Sequence, residues 1–307
     1  MRVAVVDIGS NSTRLLVADR EGERITRELE RQSIVTRLGK GVDASGALSE
    51  EAMQRVHDAL QRYRALIDEH HGERTIAVLT SAVRDASNGS DFAERVEREY
   101  RLEPHVLTGD EEARLTFLGA TSERDPEDRT PTLVVDIGGG STEMVIGQGH
   151  QASFHVSNQA GVVRQTERHI NSDPPTREEL DALAADVREI FRRNVPAEQR
   201  RAVRHAIAVA GTATSLAAIA QQLEPYDPEK VHGHVLSVGE CERLLERLAA
   251  LPLAERRQVP GLHPDRAPTI VAGALILLET AHLFELSEVE VSEHDILRGA
   301  ALGLIEE

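Results

Sequence analysis

The 307-residue sequence holds one cysteine, Cys241, only two lysines, Lys40 and Lys230, and no long apolar run. A single cysteine excludes an intrachain disulfide and any thiolate-rich metal site, and it suits a reducing compartment. The longest strongly apolar stretch, residues 270–278, is far shorter than the roughly 20 residues of a spanning helix, so no membrane segment is expected. Residues 1–10 read as a strand entering a loop, without the basic flank, apolar stretch and small-residue cleavage site of a signal peptide, which predicts a cytoplasmic protein. Positive charge is also in deficit. The formal net charge of -17 argues against broad binding to nucleic acid or anionic lipid, both of which need a basic footprint. A polyanionic substrate would therefore need cations concentrated locally. Nearly all of the 35 basic residues are arginines, whose planar fork matches phosphate, although a genomic codon bias gives the same count.

What is present is ordinary globular material, 40% hydrophobic and 28% charged, in a chain long enough for two compact cores. Apolar strands alternate with helical segments, which predicts layered α/β architecture. Residues 3–6 read as a buried strand and 12–18 as a second, joined by the turn Asp7-Ile8-Gly9-Ser10-Asn11. Ser49 caps a helix with Val56, Leu60, Tyr63 and Ile67 at helical spacing, ending near Gly72. A strand at 75–79, a short helix at 91–101, a strand at Val106 and Leu107, and a helix capped by Asp110 and carrying Glu111 and Glu112 follow. Residues 122–131 are polar with two prolines and form the expected boundary. Beyond it come a Thr176/Glu179 capping box heading a helix with Leu183, Val187, Ile190 and Phe191 inward, and a strand at 203–210 broken by Gly211-Thr212. A Ser237/Glu240 box, an apolar helix near 267–284, a strand at 289–292 and a terminal helix complete the chain.

Aligning Asp7 with Asp136 lays VAVVDIGSNSTRLLVA (3–18) over TLVVDIGGGSTEMVIG (132–147), with Val, Val, Asp, Ile, Gly, Ser and Thr identical in register. This is an internal repeat of strand, tight turn and strand, and it predicts two halves on one plan. Glycine lets the backbone of such a turn approach a phosphate closely. One copy alone reads equally well as a hairpin turn. An aspartate at the end of a buried strand is costly unless it holds a cation, water or donor, and magnesium on phosphate oxygens is a natural partner. The copies differ at one telling position: Arg14 in the first is Glu143 in the second, a cation for phosphate against a further carboxylate for metal or water. Thr80-Ser81-Ala82-Val83-Arg84 is a candidate phosphate clamp, with a surface salt bridge for Arg84 as the plain alternative. Paired carboxylates in Gly109-Asp110-Glu111-Glu112 read, on pattern alone, as acids favouring a helix start.

Together these segments resemble the exopolyphosphatase and guanosine pentaphosphate phosphohydrolase (Ppx/GppA) family, in a short two-domain form, within the actin, sugar kinase and Hsp70 superfamily. The resemblance runs through DIGSNS, RLGKGVD (37–43), TSAVRDA (80–86), GDEEARLTFLGA (109–120), DIGGGSTE (136–143), AGTATSLAAI (210–219), GLHPDRAPTIVAGALIL (261–277) and VSEHDILRGA (291–300). It implies duplicated ribonuclease H-like domains, 1–121 with a C-terminal helix 293–307 packing back on it, and 122–292, with an interdomain cleft faced by the two aspartate turns. It implies Glu112 as general base, Asp136, Glu143 and Asp7 as holders of Mg2+ or Mn2+, and Asn11, Ser12, Arg14, Arg84, Gly138, Gly139, Gly140, Ser141, Thr142, Gly211 and Thr212 along the phosphate path. The expected substrate is inorganic polyphosphate, in short chains because later helical domains of longer members are lacking. Guanosine pentaphosphate and a non-catalytic sensor of alarmone or polyphosphate are the alternatives, and a sugar or acetate kinase a more distant one. A homodimer is expected from the family. His294-Asp295 reads as a turn or helix cap.

Overall fold

The computed structural model describes residues 1–305, apart from the side chains of Asp43 and Ala44. The last two residues of the expected 293–307 helix, and the Asp43 side chain of the 37–43 segment, lie outside the described residues. The chain divides into two compact units: Met1–Ser122 together with the stretch from Asp295, and Glu123–His294.

The first unit holds a sheet of β1 (Arg2–Ile8), β2 (Ser12–Glu21), β3 (Arg24–Val35), β4 (Arg74–Leu79) and β5 (Glu103–Val106) in the order β3-β2-β1-β4-β5. The first three strands are antiparallel neighbours, and β4 and β5 add in parallel. The second unit's sheet has β6 (Thr132–Ile137), β7 (Thr142–Gln148), β8 (Gln151–Asn158), β9 (His205–Val209), β10 (Val235–Ser237) and β11 (Glu288–Val291) in the order β10-β11-β9-β6-β7-β8. Five of its strands repeat the first sheet, with the same antiparallel and parallel pairings, and β10 is an antiparallel addition on β11. The fold is thus a duplicated ribonuclease H-like α/β architecture.

Strand β1 is apolar almost throughout because both of its faces are covered. Ala4, Val6 and Ile8 join one core with Val56, Leu60, Tyr63 and Ile67 of the helix Glu50–Glu69. Val3 and Val5 alternate to the other face and pack with Ile296, Leu297 and Ala300 of the helix Ile296–Gly303. Full burial of such a side chain contributes roughly 1.5–3 kcal/mol. Ser49 caps the first helix by accepting from the Ala52 amide at 3.2 Å, and Tyr63 adds a hydrogen bond from its hydroxyl to the Thr13 carbonyl at 2.7 Å.

The helix Ile296–Gly303 lies against the helix Gly109–Thr121 at a distance only glycine permits. A Cβ on Gly119 would stand 1.9 Å from the Asp295 carbonyl oxygen, and one on Gly299 would stand 1.8 Å from that of Leu115. In the second unit, the helix Ile270–Leu283 is buried from Ile270 through Ala281 and forms the centre of the core. Its apolar surface is therefore spent inside the unit and gives no argument for a dimer. Among the described residues, no helix is long and apolar enough to cross a membrane.

Three elements depart from the sequence reading. Strands β3 and β8 and the helix Val162–His169 carry too few apolar residues to be read as regular structure, because β3 and β8 are edge strands with one open side. Charge on an edge is favourable, since it discourages pairing with another chain. The helix Gly109–Thr121 is capped not by Asp110 but by Thr108, which accepts from the Glu111 amide while the Glu111 carboxylate accepts from the Thr108 amide. A capping box two residues earlier satisfies two backbone donors where Asp110 would satisfy one.

Candidate active site

Both aspartate turns close in the same way. Gly9 donates from its amide to the Ser12 carbonyl at 3.0 Å, and Gly138 to the Ser141 carbonyl at 2.9 Å. A Cβ at Gly9 would approach the Ser12 oxygen to 3.1 Å, and one at Gly138 would approach the Ser141 oxygen to 3.2 Å, so both positions favour glycine. The flanking strands pair Asp7 directly opposite Arg14, and Asp136 directly opposite Glu143. The repeat seen in the sequence is therefore a repeat of hydrogen bonding and register.

In the first unit the pair has opposite charge. Arg14 donates through Nε and Nη2 to Asp7 Oδ2 at 2.9 and 2.6 Å, and through Nη1 to Asp295. Arg31 approaches Asp295 Oδ1 at 3.8 Å. Asp295 also caps the last helix by accepting from the Leu297 amide at 3.0 Å. The guanidinium of Arg14 is thus engaged by two buried carboxylates. Burial pushes the Asp7 carboxyl above its usual range, against the opposing pull of Arg14. Asp7 Oδ1 is buried with no hydrogen-bond partner among the described residues, which leaves an oxygen suited to a water or a hard cation.

The other first-unit residues gather around this turn. Ser10 and Ser81 hydroxyls are hydrogen-bonded at 3.0 Å, tying the turn to the short helix Ser81–Arg84. Gly39 packs on Ser10, donating to its carbonyl at 2.8 Å, and the Asn11 carbonyl receives the amides of Thr36 and Arg37. A trans peptide points its N–H opposite to its C=O, so these bonds turn the amides of Asn11 and Ser12 the other way. Arg84 donates to the Leu107 carbonyl at 2.8 Å and meets Glu112 Oε2 at 3.5 Å. Both side chains are partly exposed, so the arginine and the carboxylate stand together at an open surface.

In the second unit the cross-strand pair is Asp136 and Glu143, two carboxylates facing each other. Like charges directly opposite on an antiparallel pair are unfavourable unless a cation or proton intervenes. Glu143 Oε1 accepts from Ser141 Oγ at 2.5 Å and from Ser157 Oγ at 2.9 Å, which fixes the carboxylate. Carbonyls of Gly138, Gly139 and Gly140 receive the amides of Val162, Val163, Arg164 and Gly161 at 2.9–3.2 Å. With these carbonyls all turned toward the helix Val162–His169, the amides of Gly139, Gly140 and Ser141 point away from it and form an anion cradle. Gly161 allows this packing, since a Cβ there would lie 2.4 Å from Gly139.

Not every expected phosphate contact has its side chain available. Thr142 is fully buried and donates to the Ala160 carbonyl at 2.7 Å, and Thr212 is buried 3.4 Å from the Ile137 carbonyl. Gly211 has a different purpose: a Cβ there would fall 1.6 Å from Arg266 Nη1, so its bareness lets the guanidinium lie against the backbone. Ala210 before it turns with φ 63°, a left-handed conformation that costs an alanine roughly 1–2 kcal/mol. Arg266 and Arg164, whose Nε donates to the Gly140 carbonyl at 2.9 Å, bring cations to these loops. Neither was singled out from the sequence, because an isolated arginine carries no local pattern; its place in GLHPDRAP was the only hint.

The model of the Ppx/GppA phosphatase family matches residues 15–305. The chain belongs to this family. Exopolyphosphatase 2 of Mycobacterium tuberculosis is 39% identical over 319 residues, covering 99% of this chain and 98% of that protein. The crystal structure of the Ppx/GppA family member of Aquifex aeolicus aligns with a TM-score of 0.84 at 34% identity, over 99% of this chain and 97% of that one. An exopolyphosphatase structure from Cytophaga hutchinsonii gives 0.86 at 28% identity, over 100% and 99%. Membership in the Ppx/GppA family makes the chain a phosphatase.

Proposed function

We propose that this phosphatase is an exopolyphosphatase that releases terminal orthophosphate from inorganic polyphosphate, with short chains preferred. The observation that carries the reading is the carboxylate pair Asp136 and Glu143, set opposite one another beside a glycine loop whose amides aim outward. The all-oxygen donor set of such a pair suits a divalent cation, Mg2+ or Mn2+. Asp136 and Glu143 would hold it, and Asp7 offers a further buried oxygen in the first unit. When bound, the ion neutralises phosphate charge as the bond to the leaving chain breaks.

The remaining steps fall to side chains and backbone. Amides of Gly139, Gly140 and Ser141 bind phosphate oxygens, with Asn11, Ser12, Arg84, Arg164 and Arg266 supplying further donors. Glu112 accepts a proton from a water that attacks the terminal phosphorus in line, and the phosphoanhydride bond to the next phosphate breaks. Arg14 acts as a positioning residue that fixes Asp7. The names of the relatives support polyphosphate as substrate, and the net charge of -17 makes nucleic acid an unsuitable one. A cytoplasmic location and a homodimer follow as part of this reading from the family resemblance.

The test is phosphate release from polyphosphates of defined length beside guanosine pentaphosphate, with and without Mg2+. Faster turnover of guanosine pentaphosphate, or of chains of hundreds of units, overturns the assignment of substrate. Absence of release from any of them with Mg2+ present leaves a binding protein. Replacing Glu112 by Gln is expected to lower turnover by about 10²-fold or more with the fold intact. An equally active, folded variant removes Glu112 from the reaction.

A further inference from the structure

In the second unit, Glu123, His232 and His294 bring one ligand atom each to within 4.8 Å of one another. Glu123 Oε2 lies 3.4 Å from His232 Nε2 and 3.8 Å from His294 Nδ1, and the two imidazole rings are 4.1 Å apart. We infer that these three residues form a binding site for a divalent transition metal such as Zn2+ or Co2+.

The spacing decides the class of ion. A tetrahedral metal with bonds of about 2.0–2.1 Å holds its ligand atoms roughly 3.3 Å apart, so two of the contacts need only small side-chain rotations to close on one centre. Two imidazole nitrogens and one carboxylate oxygen suit zinc, cobalt or nickel, whereas magnesium requires oxygen ligands. The donor set therefore differs in kind from the carboxylate pair of the glycine loops. A fourth position is left open on the solvent side, since Glu123 is exposed and His232 partly so.

The surroundings hold the ligands in place. His294 is buried, and Ser292 Oγ braces its backbone, accepting its amide at 2.9 Å and donating to its carbonyl at 3.1 Å. His232 ends the short helix Pro228–Val231, and its Nδ1 faces the Glu293 amide at 3.3 Å and Ser292 Oγ at 3.4 Å. These contacts turn Nε2 toward Glu123. Nδ1 here accepts from the Glu293 amide; ligation through Nε2 places the ring proton on Nδ1, which gives up that bond and donates to Ser292 Oγ instead. Glu123 opens the second unit and His294 closes it. A metal at this point therefore cross-links the two places where the chain enters and leaves that unit.

The test uses the full chain, stripped with a chelator and kept in excess Mg2+, and titrated with Co2+ by visible absorption and with Zn2+ by calorimetry. The expected result is one Co2+ per chain with a ligand-field spectrum of low coordination number, displaced by Zn2+ and indifferent to Mg2+. Outer partners of a ligand are worth roughly 10- to 100-fold in affinity, so losing a ligand weakens binding by at least that. His232→Ala and Glu123→Gln should each do so, the second with no loss of volume. A wild-type chain without this spectrum overturns the proposal. So does undiminished binding in both variants, which assigns the metal to other histidines.

Discussion

The two aspartate turns share a backbone, and the side chain that faces the aspartate across the strands makes one an ion pair and the other a like-charge pair. In the first, Arg14 answers Asp7 across the strands and carries a second carboxylate, Asp295, so charge is balanced within the unit. In the second, Glu143 faces Asp136, a like charge where the first turn has an opposite one. A duplicated fold has kept the geometry in both halves while changing the charge that answers the aspartate. The lesson is that the identical residues of a repeat report on backbone, and the position where the copies disagree reports on chemistry.

The largest effect expected from breaking this comparison is on the ion-pair side. Arg14→Met leaves buried Asp7 without its cation and Asp295 with Arg31 alone, and should cost about 3–5 kcal/mol in urea unfolding. Its pH dependence follows from Asp7. Burial raises this acid in the folded state, so between its unfolded and folded values the folded chain binds more proton than the unfolded one. Stability from such a group is fully present below the unfolded value and declines as pH rises toward the folded value. Without Arg14 the folded value rises further, so the loss should be larger at neutral than at mildly acid pH. An equal loss at both would contradict the assigned ion pair.

A middle-sized effect tests the likeness of the turns. Gly9→Ala and Gly138→Ala meet a carbonyl oxygen at 3.1 and 3.2 Å, and each should cost roughly 1 kcal/mol. Widely different costs would mean that the two turns are not equivalent under strain. The smallest effect belongs to the like-charge side. Glu143→Gln removes a like-charge contact and should change metal-free stability by no more than a few tenths of a kcal/mol, in the stabilising direction. Added Mg2+ should raise the melting temperature of the wild type and not of this variant. An equal rise in both would move the cation elsewhere.

Much of this was legible before the structure. The alignment of Asp7 on Asp136 carried the duplicated plan, because glycine and buried strand residues answer to local backbone demands. Ser49 and Thr176 announced their helices through side-chain oxygens that act over three residues. What was not legible depends on distance along the chain. Nothing near Arg14 tells that Asp295, 281 residues away, will take up its guanidinium. Arg164 and Arg266 likewise gain meaning only when folding lays them on Gly140 and Gly211. Edge strands β3 and β8 escaped notice since half their surroundings are solvent, and charge there is no signal of a loop.

The glycine-to-glycine seam between Gly119 and Gly299 has a consequence for synthesis. Residues that finish the first unit emerge after the whole of the second has been translated. On a ribosome the leading segment must wait, unfinished on the face where Leu115 receives Gly299, while the intervening unit folds as a contiguous piece. The helix that carries Glu112 is thus braced last, and the candidate base reaches its final setting only when the final helix docks.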